Sequence, residues 1–110
     1  MSDNIYKICS HEDWEQAKEL GIFTGSEADK ADGYIHFSPI NLLESTVSKY
    51  FSQREGVVLE IDSSKIPNLV WEEARGGQLF PHLYESFKIC LVANIYDLST
   101  ELNSLLSKNP

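Results

Sequence analysis

The stretch GVVLEIDSS, residues 56–64, holds an apolar run between two groups of turn-forming residues. Val57, Val58 and Ile61 are β-branched, and such residues suit the pleated surface of a strand better than a helix. The run is also short and is bounded by glycine and serine, as is typical of strands. We therefore predict a central β-strand over residues 57–62.

The elements immediately before this strand show a strand pattern and then a helix pattern. Residues 4–10, NIYKICS, are predicted as a first strand. Ser10 followed by Asp13 is typical of a capped helix start, which predicts a helix over 11–20 that ends at Gly21. The predicted buried stripe of this helix consists of Trp14, Ala17 and Leu20.

The next segment is predicted as a loop, a short strand and a second helix. TGSEADKADG, residues 24–33, is polar throughout and is predicted as a loop, followed by a strand over 34–38. Ser38-Pro39 predicts a helix start, with serine as the N-cap and proline at the first helical position. Apolar residues at three- and four-residue steps predict the buried face of this helix: Ile40, Leu43, Val47, Tyr50 and Phe51.

The C-terminal half is predicted to be mostly strand. Residues 69–77 (LVWEEARGG) indicate a strand that ends in a Gly-Gly turn, and 79–84 (LFPHLY) and 87–98 (FKICLVANIYDL) indicate two more. A C-terminal helix begins near Ser99 or Thr100 and carries the leucines of 98–106. With helices near the N-terminus, most strands later and one helix at the C-terminus, the sequence predicts an α+β domain spanning residues 1–110.

Composition and charge narrow the class of partner and the location. The chain has 17 acidic and 9 basic residues and a net charge of -8, which disfavours nucleic acid and anionic membrane surfaces as partners. No signal-like N-terminus or membrane-length apolar run is present, so we predict a cytoplasmic protein. Cys9 and Cys90 form no CxxC pair and are predicted to be free buried thiols, and the histidine spacing predicts no metal site. The oligomeric state is left open.

The strand over 34–38 carries the first candidate functional residues. Within DGYIHFS, residues 32–38, Ile35 and Phe37 point to one face and Tyr34, His36 and Ser38 to the other, because side chains alternate along a strand. The first face is predicted to be core. The second combines a phenol, an imidazole and a hydroxyl, which makes it a candidate binding surface.

The segment 74–84, ARGGQLFPHLY, has a similar polar face. Phe80, His82 and Tyr84 share one side of the strand, and Arg75 beside Gly76-Gly77 is suited to holding an anion. Two carboxylates, Glu72 and Glu73, precede it. We predict that the side chains of His36 and His82 approach one concave surface although 46 residues separate them.

These motifs carry a family resemblance. DGYIHFS and WEEARGGQLFPHLY, with the N-terminal IYKI and a tryptophan in the first helix, resemble the family known as domain of unknown function 952 from Ile5 to about Leu98. That family is grouped with the ADP-ribosyltransferase-like fold, which includes the RNA 2'-phosphotransferases. The resemblance implies a compact split β-sheet with a cleft for NAD or an ADP-ribose-like nucleotide.

The resemblance also implies roles for single residues. His36 takes the position of a histidine that hydrogen-bonds a ribose, with Ser38 beside it, and Glu72 takes the acidic position. If the protein is a transferase, Glu72 would stabilise an oxocarbenium-like transition state and His82 would act as acid or base. The predicted ligand-binding residues are His36, Ser38, Arg75, Gly76, Gly77 and Tyr84.

Three alternatives for function stay open at this point. The first is an ADP-ribosyl or phosphoribosyl-type transferase that acts on a small-molecule ligand. The second is a non-catalytic metabolite-binding module of the same fold. The third is that the motifs are signatures of the fold and form no site.

Overall fold

The computed structural model describes residues 3–74 and 76–108. In these residues the chain forms four α-helices and nine β-strands. The helices are α1 (His11–Leu20), α2 (Glu27–Asp32), α3 (Ile40–Tyr50) and α4 (Leu102–Lys108). The strands are β1 (Asn4–Cys9), β2 (Ile22–Phe23), β3 (Ile35–His36), β4 (Ser38–Pro39), β5 (Val57–Asp62), β6 (Val70–Glu73), β7 (Leu79–Leu83), β8 (Phe87–Lys88) and β9 (Val92–Asp97). The predicted α+β class is confirmed.

A four-stranded antiparallel sheet with the order β4-β1-β5-β9 lies at the centre of the fold. The inner strands β1 and β5 have two apolar faces because their alternating side chains are almost all buried, whereas three residues of β9 are exposed. Ile5 and Leu59 face one core, with Trp14 of α1, whereas Tyr6 and Val58 face a second core beneath α3 and α4. The sheet is therefore covered on both sides, and the predicted central position of β5 is confirmed.

Glu60, the polar residue in the middle of β5, is buried, and both of its carboxylate oxygens accept hydrogen bonds. Glu60 accepts hydrogen bonds from the hydroxyl of Tyr6 at 2.8 Å and from Nδ2 of Asn94 at 2.7 Å. Burial, followed by the bond to Glu60, raises the pKa of Tyr6. A buried carboxylate is tolerated in this strand because two neighbouring strands supply donors for it.

Two smaller antiparallel sheets complete the structure. One pairs β2 with β8, and the other has the order β3-β7-β6. The backbone N–H of Phe37, between β3 and β4, donates to the carbonyl of Pro81 at 3.0 Å. Leu83 of β7 is buried in the same core as Ile5, so the three-stranded sheet packs onto the central one through one face. Its other face carries the candidate site.

The predicted loop over 24–33 is wrong, because α2 lies within it. Ser26 is the N-cap of α2, its hydroxyl accepts from the N–H of Asp29, and the Asp29 carboxylate accepts from the N–H of Ser26. This is a capping box, with aspartate in the position often taken by glutamate. The helix ends at Gly33 in the left-handed conformation.

The strand predicted over 34–38 is divided between two sheets. Ile35 and His36 pair with β7, whereas Ser38 and Pro39 pair with β1 in the central sheet. The N-cap of α3 is Pro39, with no side-chain cap, so the predicted Ser38 cap is wrong. The long strand predicted over 87–98 is likewise broken by a 3₁₀ turn at Ile89–Leu91.

Most predicted core positions are buried, with exceptions at the ends of helices and strands. Leu20 and Tyr50, each the last residue of its helix, are exposed. Cys9 is buried and burial raises the pKa of its thiol to about 12, whereas Cys90 is exposed and contradicts the prediction. No helix in the described part of the chain has the length and apolar character needed to cross a bilayer.

Candidate functional site

Strand pairing between β3 and β7 places the two predicted histidines side by side. His36 lies directly opposite His82 in the antiparallel register, and Ile35 lies opposite Leu83. The centroids of the two imidazole rings are 5.5 Å apart. The prediction that these residues approach one surface is confirmed, and the reason is a cross-strand pair that joins positions 46 residues apart.

Two tyrosines complete an aromatic cluster around the histidines. The ring of Tyr34 stacks on His82 with centroids 4.1 Å apart and planes at 28°, and it lies 4.6 Å from His36 and 5.2 Å from Tyr84. We call Tyr34, His36, His82 and Tyr84 the aromatic cluster. Tyr34 is its centre, since it contacts the other three rings. Tyr84 is 55% exposed, so the cluster is accessible from solvent.

Glu72 ties two members of the aromatic cluster together. Its Oε1 atom accepts a hydrogen bond from the Tyr84 hydroxyl at 2.7 Å and lies 2.7 Å from Nδ1 of His82. Because an ionised carboxylate only accepts, the proton of this contact lies on Nδ1. The bonds from Tyr84 and His82 hold the pKa of Glu72 below its usual value. Neither of these two bonds uses the other carboxylate oxygen of Glu72, Oε2.

The largely buried imidazole of His82 uses one of its two nitrogens for Glu72. In the described residues, no buried side-chain nitrogen or oxygen lacks a hydrogen-bond partner. The ring contact of His82 with Glu72 uses Nδ1. His82 is thus a largely buried ring that Glu72 orients through Nδ1, and its other nitrogen, Nε2, makes no contact with Glu72.

His36 is oriented by a buried ion pair that the sequence reasoning missed. Oδ1 of Asp29 lies 2.6 Å from Nδ1 of His36 and accepts the His36 backbone N–H at 3.2 Å. Nζ of Lys7 lies 2.7 Å from Oδ2 of the same carboxylate. Burial opposes the charge on Asp29, but the hydrogen bond from His36 and the charge of Lys7 outweigh it and keep the pKa of Asp29 well below its usual value.

A second carboxylate contacts the opposite side of the His36 ring. Oδ2 of Asp32 lies 2.9 Å from Nε2 of His36, and its side chain is exposed. Both ring nitrogens therefore face carboxylates, a geometry that an imidazole protonated on both nitrogens satisfies. The Ser26–Asp29 capping box on α2 was the sequence signal for Asp29. Tyr34 and Asp32 lie within the DGYIHFS motif but were not assigned a role.

The other predicted ligand-binding residues lie apart from the aromatic cluster. Ser38 is buried in β4, and its hydroxyl donates to the carbonyl of Pro39 at 2.9 Å. Gly76 and Gly77 form the exposed β6–β7 turn with positive φ, and the N–H of Gly77 donates to the carbonyl of Ala74. That N–H is consequently unavailable to a phosphate. Arg75 lies outside the described residues.

A cavity elsewhere on the protein does not include the aromatic cluster. It measures about 420 Å³ and is lined in part by Tyr6, Ile40 and Trp71. Trp71 precedes Glu72 on β6, and successive side chains of a strand point to opposite faces. The cavity and the aromatic cluster are therefore on different sides of the three-stranded sheet. In the described residues no group of three or more metal-ligating side chains is assembled.

Residues 8–95, most of the chain, match the model of a family described as protein of unknown function, DUF952. The chain belongs to this family. Both strands that carry the aromatic cluster lie inside the matched region. The family match supports the resemblance drawn from the DGYIHFS and WEEARGGQLFPHLY motifs.

Solved structures are similar to the chain over most of its length. The chain is similar to the crystal structure of CC0527 from Caulobacter crescentus, with 36% identity, a TM-score of 0.85 and coverage of 94% of this chain and 98% of that one. A double mutant of CC0527 gives the same values. The solution NMR structure of CC0527 is 40% identical, with a TM-score of 0.75 and coverage of 86% and 83%. No curated protein matches the chain.

The Glu72–Tyr84 contact makes a prediction about titration. The hydrogen bond to Glu72, followed by burial, raises the pKa of the Tyr84 phenol to about 12. We expect the Tyr84 ring to remain neutral at about pH 10.5, where an ordinary tyrosine is largely ionised. In Glu72→Gln, the pKa should fall toward about 10 because the neighbouring charge is gone. NMR of tyrosines labelled at Cζ measures this, and an unchanged Tyr84 titration in the variant would contradict the assigned contact.

Proposed function

We propose that the protein binds NAD or a related ADP-ribose-like nucleotide at the aromatic cluster and transfers its ribosyl group to an acceptor. The observation that carries this proposal is the Glu72 carboxylate, held by His82 and Tyr84 beside a solvent-accessible set of stacked rings. Flat rings of a nucleotide can stack on exposed aromatic side chains. The proposal includes assignment to the ADP-ribosyltransferase-like fold, a small-molecule ligand and a cytoplasmic location.

The chemistry requires stabilisation of a cation. The bond between the ribose C1' carbon and the nicotinamide nitrogen breaks, its electron pair goes to the nicotinamide, and an oxocarbenium-like centre forms on the ribose. A fixed carboxylate stabilises this centre without reorganising during the reaction. The acceptor oxygen or nitrogen then bonds to C1' and loses a proton to a base. Glu72 is assigned the first role.

The two histidines have different parts in this scheme. His82 has Nδ1 bonded to Glu72, which orients the ring, and we assign its Nε2 the role of receiving the acceptor proton. His36 has both ring nitrogens engaged, Nδ1 by Asp29 and Nε2 by Asp32, so it can orient the ribose hydroxyls only through the exposed Asp32 carboxylate, which accepts hydrogen bonds from them. The low number of arginines and the net charge of -8 favour a small ligand over RNA.

Glu72→Gln removes the charge of the carboxylate with little change in shape, so it separates an effect on turnover from an effect on binding. In Glu72→Gln, we expect nicotinamide release from NAD to fall by about 100-fold or more, a size typical of losing one preorganised electrostatic group, while affinity changes far less. Glu85→Gln is the matched control, since Glu85 is an exposed carboxylate next to Tyr84 in sequence. That control should retain turnover within about twofold. Chromatography of released nicotinamide and calorimetric titration give the two measurements.

The outcomes distinguish the candidate functions. Unaltered turnover in Glu72→Gln would remove Glu72 from the mechanism. Binding of NAD without turnover in the parent protein would favour the non-catalytic binding module. If neither NAD nor ADP-ribose at millimolar concentration raised the melting temperature, the proposed site would be rejected, because a ligand of the native state must stabilise it.

A further inference from the structure

We infer that the aromatic cluster selects a ligand by positive charge on its ring, so that oxidised NAD, whose pyridinium ring is cationic, binds more tightly than NADH, whose dihydronicotinamide ring is neutral. The inference rests on the proposed function and names the chemical form of the ligand that the site accepts. It also extends to other ring cations, such as 1-methylnicotinamide.

The exposed ring of Tyr84 provides the contact surface. The face of a phenol ring carries negative electrostatic potential and attracts cations, which is the basis of cation–π binding. Tyr34 already stacks on His82 at 4.1 Å, so that side of Tyr34 is covered. Tyr84, tilted 49° to Tyr34 and more than half exposed, is the ring of the cluster most open to a flat ligand.

Carboxylates on both sides of the cluster make its potential negative. Glu72 bonds to Tyr84 and Asp32 contacts His36. Both carboxylates also act on the central ring, since the pKa of Tyr34 is raised by burial and then by Asp32 and Glu72. Asp32 uses Oδ2 for His36, and Glu72 uses Oε1 for both His82 and Tyr84, so neither of the two Glu72 contacts occupies Oε2.

In the described residues, the positive charges at the cluster are paired with carboxylates. Lys7 is buried against Asp29, and the His36 ring lies between Asp29 and Asp32. With His36 charged and His82 neutral, as the role of His82 as a base requires, the three carboxylates Asp29, Asp32 and Glu72 exceed Lys7 and His36 by one negative charge. A cationic ligand ring neutralises this excess negative charge, whereas a neutral ring of the same shape does not. The phosphates are identical in NAD and NADH, so they do not contribute to the difference.

The test compares the two redox forms on the parent protein and two variants. Calorimetric titration should show NAD binding about 5- to 30-fold more tightly than NADH, the range expected for one cation–π contact reinforced by a nearby carboxylate. Tyr84→Leu keeps apolar area but removes the π face, and should reduce this ratio to within about twofold. The matched control is Tyr50→Leu, at an exposed tyrosine of α3 outside the cluster, which should retain the parent ratio.

A second pair of probes, 1-methylnicotinamide and nicotinamide, lacks the ribose and phosphates of NAD altogether. 1-Methylnicotinamide should shift the NMR signals of the Tyr84 ring at lower concentration than neutral nicotinamide does. Equal binding of NAD and NADH would overturn the inference and leave the proposed function standing. Failure of both to bind would overturn the proposed function and the inference together. A parent-like ratio in Tyr84→Leu would overturn the role assigned to Tyr84.

Discussion

Replacing Asp29 with asparagine should lower the free energy of unfolding by about 3–5 kcal/mol, because it leaves the ammonium group of Lys7 buried without a counter-charge. Both side chains of this ion pair are almost completely buried, at 4% and 3% exposure. The same carboxylate also contacts His36 and accepts the backbone N–H of Ser26 in the capping box of α2. A single substitution therefore disturbs a charge, a helix start and the candidate site together.

Two controls isolate the buried charge as the cause. Glu15→Gln breaks an ion pair with Lys18 that is 2.6 Å long but exposed, and should cost less than about 1 kcal/mol. The double variant Lys7→Met with Asp29→Asn removes both charges and should recover a large part of the stability lost by Asp29→Asn alone. Urea denaturation measures all three. A loss in Asp29→Asn no larger than in Glu15→Gln would contradict the buried pair.

The same pair predicts how stability depends on pH. The pKa of Asp29 is lowered in the folded state relative to the ordinary value of about 3.9 in the unfolded chain. Its stabilising contribution is therefore fully present above about pH 5 and is lost as the pH falls through the acid range. The stability difference between the parent and Asp29→Asn should shrink below about pH 4. Denaturation curves from about pH 3 to pH 7 check this, and a constant difference would contradict it.

Gly56→Ala should be comparably damaging, with a loss of about 2–6 kcal/mol. Gly56 has a φ of +127°, and a Cβ atom built there would lie 2.3 Å from the backbone oxygen of Cys9. Backbone strain and forced displacement of neighbouring atoms each cost about 1–3 kcal/mol. The atom in the way belongs to the end of β1, so relief would require the β1–β5 pairing of the central sheet to shift.

Gly21→Ala is the matched control for this substitution. Gly21 also has positive φ, at +79°, but a Cβ atom there meets no other atom within 4 Å. Its cost should be limited to the conformational penalty of about 1–2 kcal/mol. Thermal and chemical denaturation compare Gly21→Ala, which adds backbone strain alone, with Gly56→Ala, which adds backbone strain and a steric clash. Equal losses would show that the close approach at Gly56 is relieved by small adjustments.

Part of the candidate site could be predicted because its two strands carry recognisable local patterns. Period-two alternation placed His36 on a polar face, and the same rule placed His82 and Tyr84 together. Alternation could not predict that His36 pairs directly with His82, since the register depends on which strands meet. The roles suggested for Ser38 and Gly77 lost support for this reason: Ser38 is buried in a strand of another sheet, and the N–H of Gly77 is used by a turn.

The sequence by itself determined the elements whose signals are local. The caps of α1 at Ser10 and Gly21 and the apolar run of β5 lie within a few residues of the structure that they specify. α2 belongs to the same class, because its capping box spans only four residues, from Ser26 to Asp29, and is recognisable in the sequence. In the helices backbone hydrogen bonds close over short distances, so local residue types are sufficient to decide the outcome. The β5 strand is recognisable from its own apolar run although its partners, β1 and β9, are distant in sequence.

Tertiary structure alone decided where the chain changes sheets and which charges meet. The division after His36 arises because Phe37 donates to Pro81 while Ser38 pairs with Tyr6, partners that are distant in sequence. The ion pair of Lys7 with Asp29 joins residues 22 positions apart, and burial gives it its strength. Such contacts form only when packing brings separate segments together and excludes water, and no local pattern of residues encodes that distance.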